Sequence, residues 1–131
     1  MEIFLAFTEE GETLTNDSMY INFEINANGA MYAKYGKGRK NRKFITDEQY
    51  EMAECKAEIK EDRWSLEVLF PEPFLNGVCN FTEIKEGKTF YCNFYKIAMS
   101  EDIEHYGSYS PIESETPNFH LPVFFAEAVI R

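Results

Sequence analysis

The chain has 131 residues, a formal net charge of −10 at pH 7 and an aromatic content of 16%. This length suits one domain, residues 1–131, and so acidic a chain is a poor partner for nucleic acid or for anionic membrane surfaces, which both require basic side chains. The many phenylalanine and tyrosine residues favour pleated sheet.

The first third of the chain predicts short strands joined by turns. Residues 1–7 form the first strand, and residues 20–25 alternate between apolar and polar side chains, as a half-buried strand does. The turn formers of 26–29 then return the chain as residues 30–35, which predicts a β-hairpin. The basic residues of 36–43 follow as a mobile loop.

The rest of the chain predicts strands, one helical turn and one long loop. Thr46 begins a capping sequence for the helical turn, and Pro71 and Pro73 end the strand before them because proline cannot donate to a central sheet ladder. Residues 100–118 lack any period and are expected to be a loop. The predicted strands are residues 53–59, 64–70, 89–97 and 121–130. These elements predict an all-β protein, an antiparallel β-sandwich of jelly-roll or immunoglobulin-like character with little helix.

The cysteines and the N-terminal sequence bear on the compartment. Cys55, Cys79 and Cys92 are an odd number without Cys-x-x-Cys spacing, so they are interpreted as reduced thiols in the core. The sequence has no apolar run of about 18 residues and begins without the basic flank of a signal peptide. The chain as written is therefore expected in the cytoplasm, and a membrane is not expected as a partner. No cofactor is expected.

Polar and aromatic side chains at several predicted strand positions suit sugar binding. Aromatic rings stack on the apolar face of a pyranose, while amides and carboxylates hydrogen-bond its hydroxyl groups. The candidates of this kind are Tyr20, Asn22 and Glu24 on the exposed face of the second strand, Asn93 and Tyr95 on a later strand, and Tyr109 in the long loop. The same pattern is also typical of an ordinary solvated sheet face.

Six segments, in chain order, resemble the motifs of family 9-like carbohydrate-binding modules. They are residues 2–5 (EIFL), 20–26 with Gly29 (YINFEIN), 64–74, 93–96 (NFYK), 108–111 (SYSP) and 119–122 (FHLP). The resemblance thus extends through nearly the whole chain. It implies a β-sandwich that binds a mono- or oligosaccharide, typically at a chain end, as a non-catalytic module of the kind appended to glycoside hydrolases.

The resemblance also implies roles for particular residues. Tyr109 would be an aromatic platform for the sugar ring, and Glu2 would accept hydrogen bonds from sugar hydroxyl groups. The polar strand positions implied beside Glu2 are those of Asn22, Glu24 and Asn93. Four further residues are secondary candidates for the site without being implied by the resemblance: Tyr20, Arg39, Tyr95 and His120.

The chain departs from the family pattern at several places. Tyr109 stands where tryptophan is usual, and Glu24 stands where a sugar-binding member can carry arginine. The family's N-terminal strands and its other aromatic platform precede the position of Glu2. Either the chain is a fragment, or the domain 1–131 is abbreviated and lacks them. An abbreviated sandwich exposes a strand edge, which predicts a homodimer formed through that edge. Members of the family are often secreted, which leaves the compartment open.

Two alternatives concern the whole function. A structural or protein-interaction β domain with a degenerate sugar site explains the same sequence pattern. An enzyme is the other alternative, because Glu2 and Glu24 can in principle serve as the acid and base of a glycosidase. The favoured interpretation remains a binding module that is not an enzyme.

Three further alternatives concern other ligands. His105 or His120 together with a methionine can ligate haem, although an orienting hydrogen bond explains His120 better. The acidic residues 9–12 can contribute to a calcium site, but they lack a full set of ligand spacings. The basic residues 37–43 can clamp an anionic sugar such as a uronic acid, or can simply be solvated.

Overall fold

The computed structural model describes residues 1–9, 11–79, 83 and 85–131 of the chain. In chain order the strands are β1 (Glu2–Ala6), β2 (Met19–Ile25), β3 (Met31–Lys37), β4 (Lys43–Phe44), β5 (Glu54–Ile59), β6 (Trp64–Leu69), β7 (Thr89–Ala98), β8 (His105–Ser108) and β9 (Ala126–Val129). The helices are α1 (Asp47–Met52) and α2 (Glu72–Cys79), and short 3-10 turns occupy Glu101–Ile103 and Pro122–Phe124. None of the described helices is long and apolar enough to span a membrane.

Seven of the strands form one antiparallel sheet in the order β4-β3-β2-β1-β7-β8, with β9 paired to β7 as well. Strands β5 and β6 form a separate two-stranded hairpin. Strand β1 lies between β2 and β7, where Phe4 is opposite Asn22 on one side and Asn93 on the other. We call the side of the large sheet that bears Phe4 the upper face, and the side that bears Ile3 the lower face.

The lower face packs against α2 and the β5–β6 hairpin. Phe23 is buried there, and its ring stacks on Phe70 with centroids 4.0 Å apart. Phe74 of α2 lies next to both rings, 6.0 Å from Phe23 and 5.7 Å from Phe70. The rest of this core consists of Ile21, Ile25, Ala33, Leu75, Val78 and Cys79. Two layers packed across one apolar core make the chain a β-sandwich, as the sequence predicts.

The upper face is covered in part by residues 110–125, which we call the C-terminal segment. Phe4, Tyr20 and Tyr95 are buried there together with Phe125. The ring of Phe119 stacks on Tyr95 with centroids 4.1 Å apart and planes inclined by 8°. This segment thus turns part of a predicted solvated face into a second apolar core.

The predicted β2–β3 hairpin is present, and its turn explains why. Asn26 Oδ1 accepts hydrogen bonds from the backbone N–H groups of Asn28 (3.0 Å) and Ala30 (3.1 Å), while Gly29 has a φ of +80°. An asparagine amide satisfies donors of its own turn, and glycine takes a positive φ without a Cβ clash. The turn fixes the β2–β3 register and with it the face on which each side chain lies.

The two helices differ in how well the sequence predicts them. In the cap of α1, Thr46 Oγ1 accepts from Gln49 N at 3.2 Å and Gln49 Oε1 accepts from Thr46 N at 2.9 Å, which confirms the predicted capped turn. Helix α2 begins at Glu72, where the sequence predicts only the end of a strand. Pro73 is tolerated because N–H groups in the first turn of a helix have no intrahelical partner. The prediction of one long loop over residues 100–118 is wrong in part, since this stretch contains a 3-10 turn and β8.

Candidate functional site

Two rows of side chains cross the upper face perpendicular to the strands. The first row, which we call the carboxylate row, consists of Ser108, Tyr95, Glu2, Glu24 and Tyr32, one residue from each of β8, β7, β1, β2 and β3. The second row, which we call the amide row, consists of Asn93, Phe4, Asn22, Lys34 and Phe44. Residues directly opposite one another in an antiparallel sheet point to the same face, so each row gathers positions that are far apart in sequence.

The carboxylate row brings two predicted site residues, Glu2 and Glu24, side by side. They are direct cross-strand partners, Glu24 is exposed, and Glu2 is half-buried. Burial first, and then the charge of Glu24, raises the pKa of Glu2 to about 7, while the Met1 amine acts in the opposite direction. Near neutral pH, Glu2 can therefore donate a hydrogen bond as an acid as well as accept one as a carboxylate.

Asn22 is buried, so the prediction that it lies on an exposed face is wrong. The residue is 2% exposed, its Oδ1 accepts from Arg42 Nη2 at 2.9 Å, and its Nδ2 faces Glu24 Oε1 at 3.4 Å. The first bond fixes the orientation of the amide, because only the oxygen can accept from a guanidinium. Asn22 therefore connects Arg42 to the carboxylate row and helps to orient Glu24.

Asn93 is buried as well and holds the C-terminal segment to β7. The residue is 0% exposed, and its Nδ2 donates to the carbonyl oxygens of Ser110 (3.1 Å) and Phe124 (3.3 Å). Its Oδ1 accepts from the backbone N–H groups of Ser110 and Phe94, both at 2.9 Å. With both ends of the amide engaged in this way, the structure does not bring Asn93 to an open surface.

Three of the predicted secondary site residues belong to the upper core. Tyr20 and Tyr95 are buried, and Tyr95 Oη donates to Phe119 O at 3.3 Å. Tyr20 Oη donates to Gly38 O at 2.8 Å and also lies 2.7 Å from His120 Nδ1. Because the tyrosine hydroxyl has one proton, the proton of the second bond comes from His120 Nδ1. These groups join the sheet, the basic loop and the C-terminal segment.

Arg42 is an organising residue that sequence reasoning missed. Its guanidinium carbon lies 3.8 Å from the centroid of the Tyr20 ring. Besides Asn22, its terminal nitrogens donate to the backbone carbonyls of Tyr20, Lys34, Gly36 and Gly38. These bonds hold the Arg42 side chain against the sheet. Strands β3 and β4 occupy both ends of the predicted loop 36–43, and the mobility of the rest stays a prediction. Arg39, the predicted secondary site residue of the same loop, is exposed.

Sequence reasoning also missed an exposed aromatic pair at the end of both rows. Tyr32 and Phe44 meet edge to face with centroids 5.3 Å apart, and both side chains are exposed. Lys34 Nζ lies 4.3 Å from the centroid of Phe44 and 5.5 Å from that of Tyr32. Tyr32 is directly opposite Glu24 across β2 and β3. The strand alternation of residues 30–35, which places Tyr32 and Lys34 on one side, is the pattern that could have revealed the pair.

Tyr109, the predicted aromatic platform, is not brought to the carboxylate row. It follows β8 directly, is 71% exposed, and donates its backbone N–H to Phe94 O at 2.9 Å. Its ring meets the Phe94 ring edge to face with centroids 5.9 Å apart. Phe94 is the cross-strand partner of Ile3, so its side chain lies on the lower face. Tyr109 is thus on the opposite side of the sheet from Glu2 and Glu24.

An apolar cleft of about 730 Å³ lies on the lower face, between β6 and the pair β1 and β7. It includes Trp64 and Leu66 of β6 and Phe94 of β7. Among the described residues, β6 pairs with β5 alone, which leaves a strand edge beside this cleft. The homodimer expected from an exposed strand edge stays a prediction.

A polar cleft of about 960 Å³ lies between Thr8, Glu9 and residues 11–14 on one side and Glu83 and residues 85–89 on the other. It includes Glu9 and Glu12 of the acidic segment considered for calcium, whereas Glu10 lies outside the described residues. Within the described part of the chain, no three His, Cys, Asp or Glu residues are grouped as a metal site requires. The calcium site considered for this segment stays a prediction.

Protonation of His120 should destabilise the protein in mild acid. Burial first, and then the charges of Arg42 and Arg39, lowers the pKa of His120 from 6.5 to about 4. Between these two values the folded state binds fewer protons at His120 than the unfolded chain, so stability falls as the pH falls. We expect a loss of about 3 kcal/mol between pH 7 and pH 4 from this residue. Urea denaturation at a series of pH values should show a smaller loss for His120→Gln, and equal losses in both proteins would contradict the assignment.

Glu2 should act on stability in the opposite sense. Its pKa rises from 4.5 to about 7 on folding, so the folded state binds more protons across that window. The stabilisation is complete below the unfolded value and is lost as the pH rises through the folded value. Glu2→Gln should therefore be more stable than the unmodified protein at alkaline pH. An NMR titration of the side-chain carboxyl groups should place the Glu2 midpoint near 7, and Glu24→Gln should lower that midpoint in part; an ordinary glutamate midpoint in the unmodified protein would contradict the assignment.

The comparisons with known proteins agree with this fold. The model of carbohydrate-binding family 9 matches residues 7–130. A crystal structure of a candidate carbohydrate-binding protein from Bacteroides uniformis ATCC 8492 superposes with a TM-score of 0.78 at 27% identity, covering 96% of this chain and 58% of that one. The chain thus spans a little more than half of that neighbour, and no curated protein is significantly similar to it. A family match over nearly the whole length means that the chain belongs to carbohydrate-binding family 9.

Proposed function

We propose that the chain binds a mono- or oligosaccharide, without catalysing a reaction, at the accessible end of the carboxylate row. The observation that carries this proposal is the side-by-side arrangement of Glu2 and Glu24 with the exposed Tyr32 as the next residue of the row. Family membership supports a sugar as the ligand. A role as a module that accompanies a glycoside hydrolase is part of the same proposal.

The chemistry of these groups matches a sugar. The rings of Tyr32 and Phe44 offer apolar surfaces on which the C–H face of a pyranose can stack. Glu24 accepts hydrogen bonds from hydroxyl groups, and Glu2 donates or accepts according to its protonation. Lys34 lies against the same rings and can donate to a ring or hydroxyl oxygen. The site thus combines stacking surfaces with donors and acceptors within neighbouring positions of one sheet.

The buried predicted residues Asn22 and Asn93 support this site through their hydrogen bonds. Asn22 contacts Glu24 and is itself held by Arg42, while Asn93 holds the C-terminal segment over Tyr95. Holding a sugar-binding side chain in place through its neighbours lowers the conformational entropy that is lost when the sugar binds. In this proposal the two asparagines act through Glu24 and through the segment, and the contact with sugar falls to Glu2, Glu24 and Tyr32.

The arrangement of the two carboxyl groups favours binding over hydrolysis. A glycosidase places its two carboxyl groups on either side of the scissile bond. Glu2 and Glu24 instead stand next to each other on one face of one sheet, where both meet the same side of a ligand. Their common position suits recognition of adjacent hydroxyl groups.

Calorimetric titration with mono- and oligosaccharides tests the proposal. Tyr32→Ala should weaken binding about three- to tenfold through lost stacking, and Glu24→Gln about tenfold or more through loss of a charged acceptor. Tyr109→Ala tests the platform expected from the sequence, and Tyr50→Ala, at an exposed tyrosine of α1, is the matched control.

Each result has a distinct meaning. Loss of binding in Tyr109→Ala with full binding in Tyr32→Ala would move the site to the other side of the sheet. Absence of binding to every sugar in the unmodified protein would contradict the proposed function. Release of new reducing ends from an oligosaccharide would contradict the non-catalytic role.

A further inference from the structure

We propose that the upper face has a second sugar subsite, in the groove between β8 and residues 112–119, so that the full ligand is a neutral oligosaccharide of about three or more units. This inference rests on the proposed function, because it extends the same binding surface. The groove has a volume of about 230 Å³, and its lining includes Tyr106 and Phe119.

The groove has the two components that sugar recognition requires. Tyr106 is 44% exposed and offers an aromatic surface, while the polar groups around it are those of Ser108, Ser114, Thr116 and Asn118. Asn118 Oδ1 accepts from His120 N at 3.1 Å, which leaves its Nδ2 as the donating end of the amide. Hydroxyl and amide groups beside an aromatic ring match the hydroxyl groups and the C–H face of a pyranose.

Tyr106 is held in place before any ligand binds. Its Oη donates to Glu104 Oε1 at 2.9 Å, and its ring meets the Phe119 ring edge to face with centroids 6.4 Å apart. Phe119 in turn stacks on the buried Tyr95. A ring fixed through a hydrogen bond and through contact with the upper core loses little freedom when a sugar stacks on it.

The groove is in line with the carboxylate row. Tyr106 is opposite Ile97 and Ser108 is opposite Tyr95, so both side chains lie on the upper face with Glu2. Tyr95 itself is buried under Phe119, so a ligand that joins the two sites passes over Phe119. From Tyr32 on β3 to Ser108 on β8 there are four strand spacings, or about 19 Å in total. This distance exceeds one sugar ring, so a ligand that reaches both aromatic positions must be a chain of several units.

The charges along this path favour a neutral sugar chain. Glu2 and Glu24 lie at one end, and Glu104 and Glu115 lie beside the groove at the other. A polyuronate would meet acidic groups at both ends and be repelled. Arg42 does not offset these charges, because its guanidinium is engaged with backbone carbonyls and with Asn22.

Calorimetry with gluco-, xylo- and manno-oligosaccharides of one to six units tests the second subsite. The affinity of the bound series should rise about tenfold from the monosaccharide to the longer chains, since a second stacked ring adds its own contact. Tyr106→Ala should lower the affinity for the long chains about three- to tenfold and leave the monosaccharide affinity unchanged. Tyr50→Ala, which removes a tyrosine of similar exposure (43%) from α1, should change neither.

Two conservative variants separate stacking from structural support. Tyr106→Phe keeps the ring and should retain the gain in affinity with chain length, whereas Tyr106→Leu keeps an apolar contact with Phe119 and should lose that gain. A monosaccharide that binds as tightly as the longest chain would overturn the second subsite and leave the proposed function standing. Tighter binding of polygalacturonate fragments than of neutral chains would overturn the assigned ligand class, and absence of binding to all sugars would remove both proposals.

Discussion

The register of β1 between β2 and β7 is the constraint on which the rest of the structure depends. Glu2 is opposite Glu24 and Tyr95, and Phe4 is opposite Asn22 and Asn93. A shift of β1 by one residue would turn Phe4 out of the upper core and move the Glu2 carboxyl group to the other face, away from Glu24. One pairing register therefore determines which side chains form a core and which form a surface.

The upper face is an apolar core over one part of its strands and an accessible surface over the other. Where the C-terminal segment covers it, Tyr20 and Tyr95 pack with Phe4 and Phe125 as an apolar core. At Glu2, Glu24 and Tyr32 the side chains are half-buried or exposed, and they are polar or amphipathic. The buried amides lie at the boundary and link the two parts by hydrogen bonds. Hydrogen bonds from the adjoining core thus support the proposed site.

The sequence predicts the strands and faces well but does not predict what covers them. The alternation of 20–25 and the turn after it predict the hairpin, because these patterns are local. The burial of Asn93 depends on Ser110 and Phe124, which lie 17 and 31 positions away, and no local pattern carries that contact. The side of the sheet on which Tyr109 lies depends on β8, which the sequence predicts to be part of a loop. The run of basic residues gives no indication that Arg42 is the one that folds inward.

Chemical-shift mapping during a titration with a neutral oligosaccharide is the most direct test of the central claim. Binding at the carboxylate row predicts that the backbone amides of Glu2, Glu24 and Tyr32 shift together, since the register makes them one surface. Shifts confined to Phe94 and Tyr109, with Glu2 and Glu24 unchanged, would contradict it and place the ligand on the opposite side of the sheet.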